Sequence, residues 1–582
     1  MMFEGIRHVC GFNDCYALND DELVINVRTN KTIKSVTIFQ DDPYINGCSG
    51  TDPWDGQPCD MKLAYELKHE FVWSITLRPE FKRIQYYFKV TDYQDEVGYL
   101  FEDGMYKADI FEKNVILHLF KYGWMNDADI NKPPKWVENT YWYQIFPERF
   151  CRVEAPHSHK LKDWKDLKGY GRDVFYGGNI KGAMSKLEYL KDLGVTGIYF
   201  NPLFKATENH KYNIADYTIV DPDFGTNEEF AQLVKKAHSL GIKVMIDAVF
   251  NHSGLEFFAW QDVCKNGKDS PYYNWYYVNS DDFNHPGSTR DGRYFCFAYV
   301  DFMPKLNTNN QEVQQYFTDV CKGWIDEWDI DGIRFDVGNE ISHAFIKKLH
   351  KELKDYRKDL FLLGEIWVDS SSYLQGDEYD SIMNYPFLQS VSNFFNDKDL
   401  TAKDFRYKLD YCYSMYQKQV NKVVFNLIDS HDVDRAITRC GNDYDAFIQQ
   451  LVILSTMPGS PCIYYGTEIA MEGKNDPLNR LPMPWDVIES GAKQDTFNRV
   501  SALVKMRTSN ETLLGTDIIW DDTDGRLIEY RRPGTECIKV YINADKKDLI
   551  KHFESEEILF SYKYEDKKLL AGGAVVTKVK IY

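Results

Sequence analysis

What the sequence lacks narrows its function first. Its 12 cysteines include no C-x-x-C pair, which leaves little basis for a zinc site. In a large chain without a leader they read as reduced thiols. No apolar run approaches the roughly 18 residues of a membrane span. The start, "MMFEGIRHVCGFND", shows no basic region followed by an apolar core, so no secretory signal is expected. Positive charge is short: 69 Lys and Arg stand against 89 Asp and Glu, a formal net charge of −20. That balance argues against nucleic acid and against an anionic membrane surface as partners. There is no internal repeat and no low-complexity segment. The expectation is a soluble, cytoplasmic protein.

Aromatic residues are abundant, with 40 Tyr, 36 Phe and 13 Trp in 582 residues. Large rings fill cores and also stack on sugars, so composition alone leaves both uses open. The length calls for several domains. Residues 1–126 read as short strands between turns, among them "ELVINVRTN", "KSVTIFQDDPY", "FVWSITL" and "IQYYFKVTD". That pattern predicts a β-sandwich. Over residues 127–505 apolar strands alternate with helical stretches. The strands are "TYWYQIF", "GVTGIYF", "GIKVMIDAVF", "DGIRFD", "LFLLGEIW", "YDSIMNYPF", "KVVFNLIDS" and "SPCIYYG". Eight buried strands with crossover helices predict a parallel (β/α)8 barrel of α/β class. The link between the third and fourth is too long for a helix alone, and predicts an inserted subdomain over about 253–304. Residues 506–582 return to strand alternation and predict a C-terminal β-sandwich domain.

Active sites of such barrels collect at the C-terminal ends of the strands. The third strand ends in Asp247, followed by Asn251 and His252. The fourth carries Arg334 and Asp336, the fifth ends in Glu365, and the seventh runs into His431 and Asp432. Residues two apart on a strand point the same way, so Arg334 should lie beside Asp336 and hold its pKa down. Each residue alone also fits a hydrogen-bonded structural role. Successive hits on one rim favour chemistry.

The segments "DAVFNH" (247–252), "GIRFDVGNE" (332–340), "GEIW" (364–367) and "DSHDVDR" (429–435) resemble the conserved regions of the α-amylase family, glycoside hydrolase family 13. "MPKLN" (303–307), "YQIFPERF" (143–150), "GGNIKG" (177–182) and "CIYYGTEIAMEG" (462–473) resemble its subgroup of cyclomaltodextrinases, neopullulanases and maltogenic amylases. "DDPY" (41–44) supports the resemblance more weakly at the N-terminus, where a starch-binding-like sandwich is implied.

The resemblance implies that Asp336 is the nucleophile, Glu365 the general acid/base and Asp432 a third carboxylate that stabilises the transition state. Glu365 should owe a raised pKa to apolar neighbours, Ile366 and Trp367. His252, His431, Arg334, Asp247 and Trp367 would bind or support the substrate. Tyr212 would stack under the reacting sugar, Asp476 and Arg480 would grip the next sugar inward, and Asn339 and Glu340 would line the acceptor side. The substrate implied is a cyclodextrin or α-glucan oligosaccharide, with hydrolysis and some transglycosylation, and the assembly a homodimer.

One departure concerns metal. Subgroup members often hold calcium near the start of the barrel through an Asn-Gly-Asp run after P-E-R-F and the Asp of a G-G-D segment. Here "CRVEAPHSHK" offers only Glu154, and "GGN" has the neutral Asn179. A second family site would use Asn251. The expectation is no metal and no cofactor. Two other readings stand at this point. An oligo-1,6-glucosidase or trehalose-type isomerising enzyme would carry a Q-P-D-L-N-like sequence in place of M-P-K-L-N. A silent transporter partner of the same fold would lack the acids and carry a membrane span.

Overall fold

The computed structural model describes residues 3–48, 54–113, 115–167, 171, 173–284, 287–553 and 556–580. The chain divides into two compact units. The first takes residues up to 132 together with 374–376 and 400–421. It is a sandwich of a four-stranded and a six-stranded antiparallel sheet. The strand Ile84–Asp92 alternates buried and half-buried positions without a break, as a strand with one face on a core must. Ile25, Val27, Val36, Ile38, Phe88 and Val90 fill the space between the sheets.

The helix Ala402–Ser414 packs into this unit, although its sequence falls within the stretch expected to form the barrel domain. Polar contacts fix it there. Asp410 Oδ2 accepts from the Glu66 backbone N–H at 2.9 Å, Arg28 donates to the Ser414 carbonyl at 2.7 Å, and the Lys31 ammonium lies 4.1 Å from the Tyr407 ring centre.

The second unit holds the closed barrel predicted from the strand pattern. Its strands are β1 (Trp142–Ile145), β2 (Gly197–Phe200), β3 (Lys243–Ala248), β4 (Gly332–Phe335), β5 (Phe361–Gly364), β6 (Ser381–Asn384), β7 (Phe425–Leu427) and β8 (Ser460–Tyr464). All pairings are parallel, and β1 closes on β8 through Trp142 and Cys462. Alternate inward side chains, among them Trp142, Tyr199, Met245, Phe361, Met383 and Phe425, pack the interior. The surrounding helices start on side-chain caps. Thr226 and Glu229 form a capping box before Asn227–Ser239, Asn310 caps Gln311–Trp328, and Ser342 caps His343–Tyr356.

Register decides what the rim can do. Asp247 pairs with Arg334, and Phe335 with Gly364. Asp336 and Glu365 are therefore each one residue past a matched pair, level with one another at the same end.

The inserted segment after β3 holds the helix Phe258–Asn266 and several short turns. Isolated antiparallel bridges close it, including His252 with Lys305 and Cys296 with Pro304. The C-terminal domain forms one continuous six-stranded antiparallel sheet, built along the long strand Lys568–Lys580. It docks on the helix Tyr444–Thr456, where Gln449 donates to the carbonyls of Asn543 and Gly573 at 2.9 and 3.1 Å. The cysteines form no disulfide.

Candidate active site

At the C-terminal end of the barrel lies a cavity of about 460 Å³, within the range of small-molecule sites. Beneath it stands Arg334, fully buried on β4. Its Nη1 reaches Asp247 Oδ1 at 2.7 Å and Asp336 Oδ1 at 3.0 Å, and its Nη2 reaches Glu365 Oε2 at 2.8 Å. One guanidinium thus holds three carboxylates. Asp247 also accepts from the hydroxyls of Tyr199 and Tyr212 at 2.8 and 2.9 Å.

The predicted side-by-side placement of Arg334 and Asp336 is present, but its electrostatic consequence differs from the expectation. Burial pushes the Asp336 carboxyl well above the ordinary range. Arg334 opposes that rise, and the neighbouring acids Glu365, Asp247 and Asp432 reinforce it. The sequence places all these charges on one rim, but the balance between one cation and three acids depends on burial and distance, which it does not give.

Glu365 also departs from the expected apolar setting. Its Oε1 accepts from Trp367 Nε1 at 3.0 Å, and its Oε2 accepts from the Val337 backbone N–H at 2.8 Å. Val337 takes left-handed angles, φ 47° and ψ 47°, which is costly for a β-branched residue. That conformation aims its N–H at Glu365.

Asp432 lies across the cavity, with 27% of its side chain exposed. Arg480 Nη2 is 3.3 Å and His431 Nε2 3.2 Å from its oxygens. Burial, and next Glu365, raise its carboxyl from 3.8 to about 7. His431 is held neutral, its pKa driven well down by burial and by the charges of Arg480 and Arg334. Gln144 donates its amide N–H to His431 Nδ1 at 2.8 Å. The ring proton is then on Nε2, which lies 2.6 Å from the Tyr212 hydroxyl. The Tyr212 and His431 rings lie nearly parallel with centres 5.5 Å apart. Asp476 meets Arg480 Nη1 at 3.2 Å.

Asp336, Glu365, Asp432, His252, His431, Tyr212, Asp476, Arg480, Asn339 and Trp367 all line the cavity. Arg334, Asp247 and Glu340 do not. Arg334 and Asp247 are wholly buried beneath the floor, so they support the acids and are out of a substrate's reach. Glu340 turns away to Lys305, 3.1 Å from its Nζ. The cavity also takes in His210, Phe297, Met303 and Val337, which the sequence reading did not single out. His210 is two residues before Tyr212, and Met303 opens the "MPKLN" segment, so proximity to quoted motifs was the available signal.

The two asparagines at the family's calcium positions are engaged within the protein. Asn179 Oδ1 caps its own helix by accepting from Gly182 N–H at 2.8 Å, and its amide donates to the Val153 carbonyl at 2.6 Å. Asn251 Oδ1 accepts from the Lys305 ammonium. Among the described residues no group of three or more His, Cys, Asp or Glu is arranged to hold a metal. No helix among them is long and apolar enough to cross a membrane.

A closed parallel barrel with three acids gathered at the C-terminal strand ends has the architecture of a barrel enzyme. The chain matches the α-amylase catalytic domain over residues 144–524 and the α-amylase N-terminal ig-like domain over residues 1–126. It belongs to the α-amylase family of glycosidases. It is similar to a maltogenic α-amylase of Bacillus acidopullulyticus, 38% identical over 88% of this chain and 86% of that one. It is similar too to an intracellular maltogenic amylase of Bacillus subtilis, 36% identical over 96% and 93%. Among solved structures a cyclomaltodextrinase superposes with a TM-score of 0.88 at 31% identity, covering 100% of this chain and 98% of that one.

Proposed function

We propose that this glycosidase cleaves α-1,4-glucosidic bonds of cyclodextrins and short maltooligosaccharides, pullulan being a further substrate, with retention of the α-configuration. The observation that carries the reading is the pair of acids held at the two ends of one buried guanidinium, Asp336 and Glu365, on the floor of a cavity. Closely spaced acids suit double displacement, for which about 5 Å is usual. Asp336 attacks the anomeric carbon. As the new C–O bond to its carboxylate forms, the glycosidic C–O bond breaks and Glu365 gives its proton to the leaving oxygen. Water then attacks the same carbon, Glu365 takes a proton from it, and Asp336 is released. A sugar hydroxyl in place of water yields transglycosylation. Asp432, His431 and His252 engage hydroxyls of the reacting sugar, the Tyr212 ring offers it a flat apolar face, and Asp476 and Arg480 grip the next sugar inward.

The names of the similar proteins support this substrate class. Rates on β-cyclodextrin, pullulan, soluble starch and maltotriose, with products separated by chromatography, test it. Proton NMR of the first product should show the α-anomer. A β-anomer appearing first, or α-1,6-linked disaccharides cleaved in preference to all four, would overturn the reading.

We also propose a cytoplasmic homodimer. The similarity to an enzyme named intracellular supports the location, and the resemblance to the cyclomaltodextrinase subgroup supports the assembly. Light scattering should report about twice the 68.2 kDa chain mass.

A further inference from the structure

Lys305 takes no part in the reaction written above, yet three loops meet at its ammonium. It donates to Asn251 Oδ1, to the Glu340 carbonyl at 3.2 Å and to Glu340 Oε2 at 3.1 Å. Asn251 follows β3, Glu340 follows β4, and Lys305 ends the inserted segment, where it bridges His252 along the backbone.

An ammonium can only donate. It therefore decides which way the Asn251 amide faces, oxygen toward Lys305 and nitrogen away. On the far side Asn251 Nδ2 lies 3.2 Å from His252 Nδ1. An amide NH₂ also only donates, so Nδ1 must be the bare nitrogen and the ring proton must sit on Nε2. His252 Nε2 is buried, makes no hydrogen bond within the protein, and belongs to a residue that lines the cavity. Phe297 stacks on the ring at 5.2 Å and 20°, which holds its plane. Burial, and next the charge of Lys305, lower the His252 pKa to about 3 against an opposing pull from the Tyr212 backbone. A second ring proton is thus absent at neutral pH, and Asn251 is the side chain that meets Nδ1.

We propose that Lys305 is a positioning residue which, through Asn251, fixes His252 as its Nε2–H tautomer and so presents one donor to a sugar oxygen at the cavity wall. By taking Asn251 Oδ1, the same ammonium closes that oxygen to a divalent cation. The proposal rests on the reading of the cavity as a sugar site.

Asn251→Asp tests it. The variant keeps an acceptor for Lys305, so the loop junction survives, but it has no proton to give Nδ1. The ring proton then moves to Nδ1 and Nε2 becomes an acceptor. In a two-bond ¹H–¹⁵N spectrum of histidine-labelled enzyme, the His252 pattern should change from the Nε2–H to the Nδ1–H form. His252→Gln identifies that pattern by its loss. The KM for maltotriose should rise about tenfold or more, as for a substrate hydroxyl left facing an acceptor where it met a donor, with the melting temperature within a few degrees of wild type. Lys305→Met should give a mixture of tautomers and an intermediate KM, and Lys305→Arg should restore the wild-type pattern. An unchanged tautomer in Asn251→Asp, or a changed tautomer with KM within twofold of wild type, would overturn the proposal. The spectrum is read without substrate, so it fails separately from the proposed reaction, whose failure would show as no α-glucan cleaved by the wild type.

Discussion

Asp432→Asn should abolish turnover and make the protein harder to melt above pH 7. The folded enzyme holds the Asp432 carboxyl at about 7, against 3.8 for a free group. A raised acid binds its proton more tightly in the folded state than in the unfolded one. Stability therefore falls as pH rises from about 4 to about 7, and is flat above that window. At full ionisation a rise of this size amounts to about 4 kcal/mol. Solvent reaches 27% of the side chain and screens the effect. About 1–2 kcal/mol is the expected remainder, or roughly 2–5 °C in melting temperature for a large domain. Asn is neutral at every pH and removes the term. Arg480 keeps Asp476 as a partner at 3.2 Å, so no cation is orphaned. Thermal melts of both proteins at pH 4.5, 6 and 8 should show a gain near zero at pH 4.5 that grows to its full size by pH 8. A gain of equal size at all three, or a lower melting temperature at pH 8, would refute the argument that the acid cluster is strained by its own charge.

Asp336→Asn should lose at least about a thousandfold in rate on β-cyclodextrin, since no carboxylate remains to attack, with the fold intact by circular dichroism. Arg334→Met should cost about 3–5 kcal/mol, measured by denaturant melts, because it leaves Asp247 buried without its cation. It should also move the acid limb of the pH–rate profile upward, as the one charge opposing protonation of Asp336 is gone. Dialysis against EDTA should leave activity and melting temperature unchanged. A drop of several degrees that added calcium reverses would show donors other than Asn179 and Asn251.

The barrel was legible because its strands are buried on both faces. Segments such as "GIYF" and "FLLG" carry no solvent-facing residue to confuse the period, and turns bound each one. The rim was legible for a related reason, since polar residues directly after such strands can only emerge at one end. Depth was not. A two-residue period says that Arg334 and Asp336 share a face, but not that Arg334 lies beneath the floor while Asp336 lines the cavity. Phe297 and His210 come from loops without a period, so nothing in the local pattern marks them. The helix Ala402–Ser414 shows an apolar face to the eye, yet a sequence does not name what covers that face.

That helix bears on how the chain can be cut. Although it falls between β6 and β7 in the sequence, its neighbours are the N-terminal sheets. A truncation at residue 126 looks like the removal of an accessory module. It would remove Arg28, Lys31 and Glu66, the partners of Ser414, Tyr407 and Asp410 on a helix that belongs to the middle of the barrel sequence. The N-terminal domain is thus no detachable appendage. Any attempt to transplant this barrel, or to swap its N-terminal domain for another, must carry 400–421 along with the sheets it packs on or replace the contacts of Tyr407, Asp410 and Ser414.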